Sequence, residues 1–184
     1  MNHIGTQTIE TERLTLRRYK AEDAAAMYKN WASDPAVTKF LTWPTHTSVE
    51  ISEWVIGDWV KGYEHDNYYQ WAIVLKEIDE PIGGISAVHL NEDVGMAHIG
   101  YCIGRNWWHQ GITSEALAGV IGFLFEDVGM ERVEARHDVN NPNSGKVMEK
   151  CGMRKEGVMR RADRNNQGIV DCCIHAILRD EWKK

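Results

Sequence analysis

From residue 103 to residue 117 the chain reads Ile-Gly-Arg-Asn-Trp-Trp-His-Gln-Gly-Ile-Thr-Ser-Glu-Ala-Leu, a strand-like run that ends in a polar turn and becomes an apolar helix. Such a turn suits phosphate, because backbone N–H groups at the mouth of a helix have no partner within it and add to its dipole in favouring a bound anion. Gly111 leaves the backbone open where a side chain would block a pyrophosphate. Thr113 or Ser114 can cap the helix that follows. An ordinary strand-to-helix connection with a good cap would read the same from this stretch alone.

The 184 residues suffice for one domain (1–184) with a full-sized core, and no linker rich in Pro, Ser or Gly divides them. A net charge of −6 argues against a dedicated nucleic-acid binder, whose affinity would come from Lys and Arg on phosphates. Cys102, Cys151, Cys172 and Cys173 make neither a disulfide framework nor a CxxC metal pair, and the chain opens without an apolar signal segment. Reduced thiols in the cytoplasm are the expectation. Apolar stretches are too short and too broken to span a bilayer, so no membrane partner is expected. The eight histidines form no HxxxH pair and Cys172 and Cys173 fall on opposite strand faces, so no metal site is expected either. The turn lacks the Gly-Lys-Ser/Thr of a nucleotide P-loop, and no GxGxxG follows the first strand.

Alternation over 9–18 predicts a first strand, and 22–31 a helix. Asp34-Pro35 breaks the chain, and Thr47/Ser48 with Glu50 opens a second helix running to Gly62. Strands over 68–76 and 82–90 are separated by a hairpin-length connection, and a further strand over 96–104 leads into the polar turn. The next helix places Leu117, Val120, Ile121, Leu124 and Val128 at spacings of three and four, the mark of a buried face. A strand over 132–139, a short helix from Asn141-Pro142 to Cys151-Gly152, and strands over 153–159 and 169–178 complete the pattern, with 160–168 read as a polar loop. Strands before, between and after helices indicate an α+β domain with a mixed sheet.

The element order, the positions Ile103, Trp108, Gly111 and Thr113, and the segment Asn141-Pro142-Asn143-Ser144-Gly145-Lys146-Val147-Met148-Glu149-Lys150-Cys151-Gly152-Met153 together resemble the GNAT acyltransferase superfamily. The opening Thr11-Glu12-Arg13-Leu14 with Leu16-Arg17, and the closing strands, resemble its branch that acetylates ribosomal-protein N termini (RimJ/RimL-like). The resemblance covers nearly the whole chain. It implies a mixed, mostly antiparallel central sheet flanked by helices and splayed between the fourth and fifth strands, with acetyl-CoA as co-substrate in the opening.

Carried over by resemblance, His109, Gln110, Gly111, Ile112, Thr113 and Ser114 are the pyrophosphate contacts, Ile103 offers its backbone to the pantetheine arm, and Asn141 contacts the cofactor. Trp108 and Thr113 depart from the family pattern, which has Gln or Arg and a small residue there. Main-chain donors make both changes tolerable. Lys146 meets a cofactor phosphate or stands as a solvated helix-face lysine.

A thioester is already activated, so such a site needs only to position a neutral amine, stabilise an oxyanion and move protons. His98 stands where relatives carry a Glu two residues before Gly-Tyr, and an imidazole with an ordinary pKa of ~6.5 can act as the base near neutrality. Its alternative is a hydrogen-bonded strand residue. Asp163 holds a position where ribosomal-protein-type relatives place an acid facing the acceptor; a solvated carboxylate is its alternative. Ser144 replaces the usual Tyr, here Met148, as proton donor to the departing thiolate, or else caps its helix. Cys151 reads as a buried structural thiol, not a nucleophile. Trp31, Trp43, Trp54 and Trp59 gather around the first two helices, as core packing or as the wall of an acceptor pocket.

The implied reaction is acetyl transfer from acetyl-CoA to a primary amine, a protein N terminus foremost, by direct attack in a ternary complex. The alternatives are a small-molecule amine (a polyamine, amino acid or antibiotic) and a non-catalytic acyl-CoA binding or sensing module. The partner is thus an amine acceptor, with no direct nucleic-acid partner and room for a homodimer.

Overall fold

The computed structural model describes residues 1–182. Where alternation suggests one strand over 9–18, the chain turns at Thr11-Glu12-Arg13 and makes two, β1 (Ile9–Glu10) and antiparallel β2 (Leu14–Arg17). The turn is fixed from outside itself. The Thr11 hydroxyl, the Arg13 amide and the Arg13 guanidinium all donate to the Glu115 carboxylate, at 2.6, 2.8 and 2.7 Å.

The helix expected over 22–31 is a composite: a 3₁₀ turn (Ala21–Asp23), α1 (Ala24–Met27) and a π turn (Tyr28–Ala32). After α2 (Pro35–Thr38), α3 (Val49–Gly62) takes the expected course. The hairpin of β3 (Gln70–Leu75) and β4 (Glu80–Asn91) leads to β5 (Met96–Ile103), and α4 (Ile112–Phe123) follows the polar turn. β6 (Arg132–Asp138), α5 (Pro142–Lys150), β7 (Arg154–Asn165) and β8 (Gly168–Leu178) close the fold.

The eight strands lie in the order β1-β2-β3-β4-β5-β6-β8-β7, antiparallel throughout except between β5 and β6. This is the expected α+β architecture. Leu117, Val120, Ile121 and Leu124 of the α4 segment are fully buried in one core against the sheet. A second core holds Met27, Trp31, Ile56 and Val74 with residues of α1 and α3.

The parallel pair is short: β5 and β6 match only from Met96 opposite Arg132 to Ile99 opposite Ala135. Beyond that point β6 stays paired with β8, while residues 100–103 of β5 stay paired with β4, so the two strands part. These are the fourth and fifth strands of the sequence reading, and the splay lies where the resemblance implies it.

The expected polar loop over 160–168 is instead mostly strand. β7 continues to Asn165, and only Asn166 and Gln167 turn the chain into β8. Between Met159 opposite Cys172 and Asp163 opposite Val170, four steps on β7 face two on β8. That bulge, with Arg161 at φ 52° and its amide bonded to the Asp171 carboxylate (2.8 Å), erases the period-two pattern a strand would show. The hairpin tip docks across the molecule. The Asn166 amide donates to the Leu41 carbonyl (3.0 Å), and its side-chain amide to the carbonyls of Thr38 (2.8 Å) and Trp43 (2.7 Å).

Candidate active site

The polar turn has the backbone a phosphate cradle requires. His109 and Gly111 sit in the left-handed region at φ 60° and 76°, and Gly111 is the N-cap of α4. Neither Thr113 nor Ser114 is that cap, a correction with a plain cause: the Gly111 carbonyl starts the helix by accepting from the Glu115 amide (3.1 Å), and the Ser114 hydroxyl bonds back to that same carbonyl (3.2 Å). Among the described residues, no amide from His109 to Ser114 makes a backbone hydrogen bond, which leaves them available to an anion.

Two cations border this turn. A Cβ at Gly111 would lie 3.1 Å from Lys150 Nζ and 3.6 Å from the Arg13 guanidinium. Arg13 is braced by Glu115 and by the Gln110 carbonyl, at 2.7 and 3.0 Å. Lys150 lies one helical turn beyond Lys146, and Lys146 is on the exposed face of α5. Sequence reasoning missed Arg13 and Lys150, since they come from a distant hairpin and from the end of α5. A space that a Cβ would fill, edged by two cations and free amides, fits the pyrophosphate of coenzyme A.

Ile103 ends the open edge of β5. The Gly104 amide bonds Ile82 of β4 (2.8 Å), so the alternate residue Ile103 turns its peptide groups to the splay. Its carbonyl accepts from the Trp108 indole (2.9 Å), so Trp108 braces the strand end from the side. Across the splay, the Tyr101 hydroxyl meets both the carbonyl and Oγ of Ser144 at 3.0 Å. Ser144 is the third residue of α5, whose N-cap is Asn141, so the capping alternative for Ser144 does not hold. Burial pushes the Tyr101 phenol well above its ordinary pKa and keeps it protonated.

His98 sits at the vertex, opposite Glu134 in the last stretch of paired residues. His98 Nδ1 and Glu134 Oε1 are 3.1 Å apart, and Glu134 also binds the guanidinium groups of Arg132 (3.0 Å) and Arg136 (3.3 Å). Burial lowers the His98 pKa; the hydrogen bond to Glu134 opposes this, Arg136 adds to it, and the charges of Glu134 and Asp163 oppose it. Burial would raise the Glu134 pKa, but the bonds from His98 and Arg132 hold it below the usual carboxylate range. Asp163, expected in a loop, lies on β7 within electrostatic reach of His98. Glu134 had no motif to mark it; only the parallel register of β5 with β6 brings it to His98.

The family model for an acetyltransferase (GNAT) domain matches residues 13–154. The chain belongs to the GNAT acetyltransferase family. This GNAT chain is 32% identical over 176 residues to an uncharacterized N-acetyltransferase, p20, of Bacillus licheniformis, covering 96% of this chain and 98% of the relative. It is 30% identical over 113 residues to the ribosomal-protein-serine acetyltransferase of Escherichia coli, covering 61% and 63% of the two chains. The structure of the microcin C7 self-immunity acetyltransferase MccE with acetyl-CoA and AMP superposes with a TM-score of 0.82 at 22% identity, over 91% of this chain and 93% of that one. It is thus an N-acetyltransferase that uses acetyl-CoA, akin to the RimJ/RimL-like branch.

In this GNAT chain all four cysteines are free, and Cys151 is structural. Its thiol donates to the Ser114 carbonyl (3.2 Å) and burial pushes its pKa up to about 12. Met148, at the usual tyrosine position, is buried in the main core. Trp31 is fully buried, whereas Trp43, Trp54 and Trp59, with Met27, Val55, His46 and Asp58, line a pocket of about 210 Å³. No helix among the described residues is long and apolar enough to cross a membrane.

Proposed function

We propose that this chain is a cytoplasmic, single-domain enzyme that acetylates a protein N-terminal amine by direct attack on acetyl-CoA in a ternary complex. The observation that carries this reading is the opened edge of β5, with the Gly111 turn beyond one end and His98 at the other. Acetyl-CoA supplies the activated acetyl group. The amides of residues 109–114, with Arg13 and Lys150, hold its phosphates, and the Ile103 edge and Asn141 guide the pantetheine arm. Lys146 adds only solvent-exposed charge. His98 takes the proton from the attacking amine, Ser144 delivers one to the departing thiolate, and Asp163 faces the acceptor. The ribosomal-protein-serine acetyltransferase among the relatives supports a protein N terminus as acceptor, and four free cysteines suit the cytoplasm.

The test is thermal unfolding with and without acetyl-CoA, beside thiol release with peptides bearing N-terminal Ser or Ala and with a panel of small amines. At a hundredfold over Kd, acetyl-CoA stabilises by ~2.7 kcal/mol, a rise of roughly 5–10 °C. Release with peptides alone supports the reading, and no thermal shift at all overturns the phosphate turn. A small amine is the second reading, favoured by the compact tryptophan-lined pocket beside Asp58.

A further inference from the structure

His98 and Glu134 form a carboxylate–imidazole pair whose carboxylate is fixed at both oxygens. Oε1 faces His98 Nδ1 (3.1 Å) and Arg136 (3.3 Å), while Oε2 faces Arg132 (3.0 Å). Arg132 is in turn held by both Glu156 oxygens, at 2.8 and 2.6 Å. Glu134 is only 5% exposed. A carboxylate so placed among two guanidinium groups stays ionised, and an ionised carboxylate only accepts hydrogen bonds.

We propose that Glu134 is a positioning residue for catalysis: it holds the His98 imidazole as the Nδ1–H tautomer and leaves Nε2 with the lone pair that accepts the proton of the attacking amine. This rests on the reading of His98 as the base. Since Glu134 can only accept, the proton between the two groups belongs to Nδ1. Nε2 has no hydrogen-bond partner among the described residues and is not sealed off completely, the His98 side chain being 17% exposed. As the amine nitrogen bonds to the acetyl carbon, its proton passes to Nε2, and the imidazolium formed is stabilised by Glu134; the C–S bond then breaks and the thiolate takes its proton at the Ser144 side.

The charged groups about the ring are Glu134 and Arg136 on β6 and Asp163 on β7, with His89 as its cross-strand partner on β4. Both guanidinium groups that neutralise Glu134 lie on β6, at positions 132 and 136, so they steady the carboxylate and temper its pull on the ring. Thus Glu134 acts chiefly by orientation and tautomer choice, as carboxylate partners of basic histidines do in hydrolases.

Long-range 1H–15N spectra of the full chain labelled at histidine read the tautomer directly, with His98→Gln assigning the resonance. The wild-type ring is expected as Nδ1–H, and an Nε2–H ring overturns the proposal without any variant having to fold. In Glu134→Gln, which can donate as well as accept, the tautomer preference is expected to weaken. Thiol release from acetyl-CoA with an N-terminal-serine peptide should lose at least tenfold in kcat at unchanged KM for acetyl-CoA, with the acid limb of the pH profile moved to lower pH. Glu134→Asp, which keeps the charge and shortens its reach, is expected to fall between. An unchanged tautomer and rate in Glu134→Gln overturns the positioning role. Full activity in His98→Gln overturns the base assignment and the proposal with it, a result distinct from a Glu134 failure.

Discussion

The Tyr101 hydroxyl lies 3.0 Å from both the carbonyl and Oγ of Ser144, joining the open edge of β5 to the first turn of α5 across the splay. The phenol donates to the carbonyl, which leaves the serine hydroxyl free to turn between the phenol oxygen and a departing thiolate. If Ser144 protonates the thiolate as proposed, Tyr101, which burial keeps protonated, can donate back to Ser144 Oγ. Ser144→Ala is therefore expected to lower kcat at least tenfold with little change in KM for acetyl-CoA. Tyr101→Phe removes one hydrogen bond worth ~1 kcal/mol, or about fivefold in kcat. Steady-state kinetics with the responsive peptide or amine decide it, and a Ser144→Ala enzyme with full kcat means that solvent protonates the thiolate.

At the other end of the site, Lys150 Nζ borders the Gly111 turn, whereas Lys146 is exposed one helical turn earlier on α5, and the larger phosphate contribution is expected from Lys150. Lys150→Ala should weaken acetyl-CoA binding about tenfold at low salt and less as salt rises, whereas Lys146→Ala should leave it within twofold. Gly111→Ala meets two obstacles, a left-handed φ of 76° and Lys150 Nζ at 3.1 Å. A loss of ~1–2 kcal/mol in stability accompanies weaker acetyl-CoA binding. Calorimetric titration and thermal melts of the three variants separate these effects, and equal losses in the two lysine variants would refute the assignment.

What the sequence made legible was local. Residues 103–117 announced a strand, a tight polar turn and a buried helix, because apolar periodicity, Gly111 and the helix start all lie within one short stretch. Asn141-Pro142 likewise marked the start of α5. Long-range relations stayed hidden. Glu134 reads as an ordinary charged residue in an alternating strand until β6 is set parallel to β5, and Arg13 reads as a surface arginine until the β1–β2 turn docks on Glu115. The β7 bulge hid a strand by inserting residues out of period.

The acceptor side makes a separate forecast. Asn166 ties the β7–β8 turn to the carbonyls of Thr38, Leu41 and Trp43, so the tryptophan pocket and the far sheet edge share one brace. Trp54 is 74% exposed, so Trp54→Ala costs less than ~0.5 kcal/mol in stability. If the pocket receives the acceptor, its KM rises severalfold while that for acetyl-CoA holds. Asn166→Ala should loosen the brace and raise the acceptor KM as well. Two-substrate kinetics provide the check, and unchanged acceptor KM values in both variants would place the acceptor elsewhere.

Acid should destabilise this protein before its carboxylates titrate. Burial lowers the pKa of His46, His98 and His175 in the folded chain; His175 is 2% exposed, and Glu149, 3.7 Å from its Nε2, opposes the shift without overcoming it. Above an unfolded pKa of ~6.5 both states leave these rings neutral and pH has no effect through them. Below it the unfolded chain takes up protons that the folded chain resists, so stability falls with pH by up to ~1.4 kcal/mol per unit for each such ring until its folded pKa is reached. Glu115 and Glu134, whose pKa values are lowered in the folded state, add a further loss only as the pH drops through the carboxylate range. Thermal melts between pH 8 and 5 should therefore show a flat region followed by a decline that begins near pH 6.5. His175→Gln should soften that decline, and a melting temperature constant down to pH 5 would show that these imidazoles protonate as easily in the folded chain as in the unfolded one.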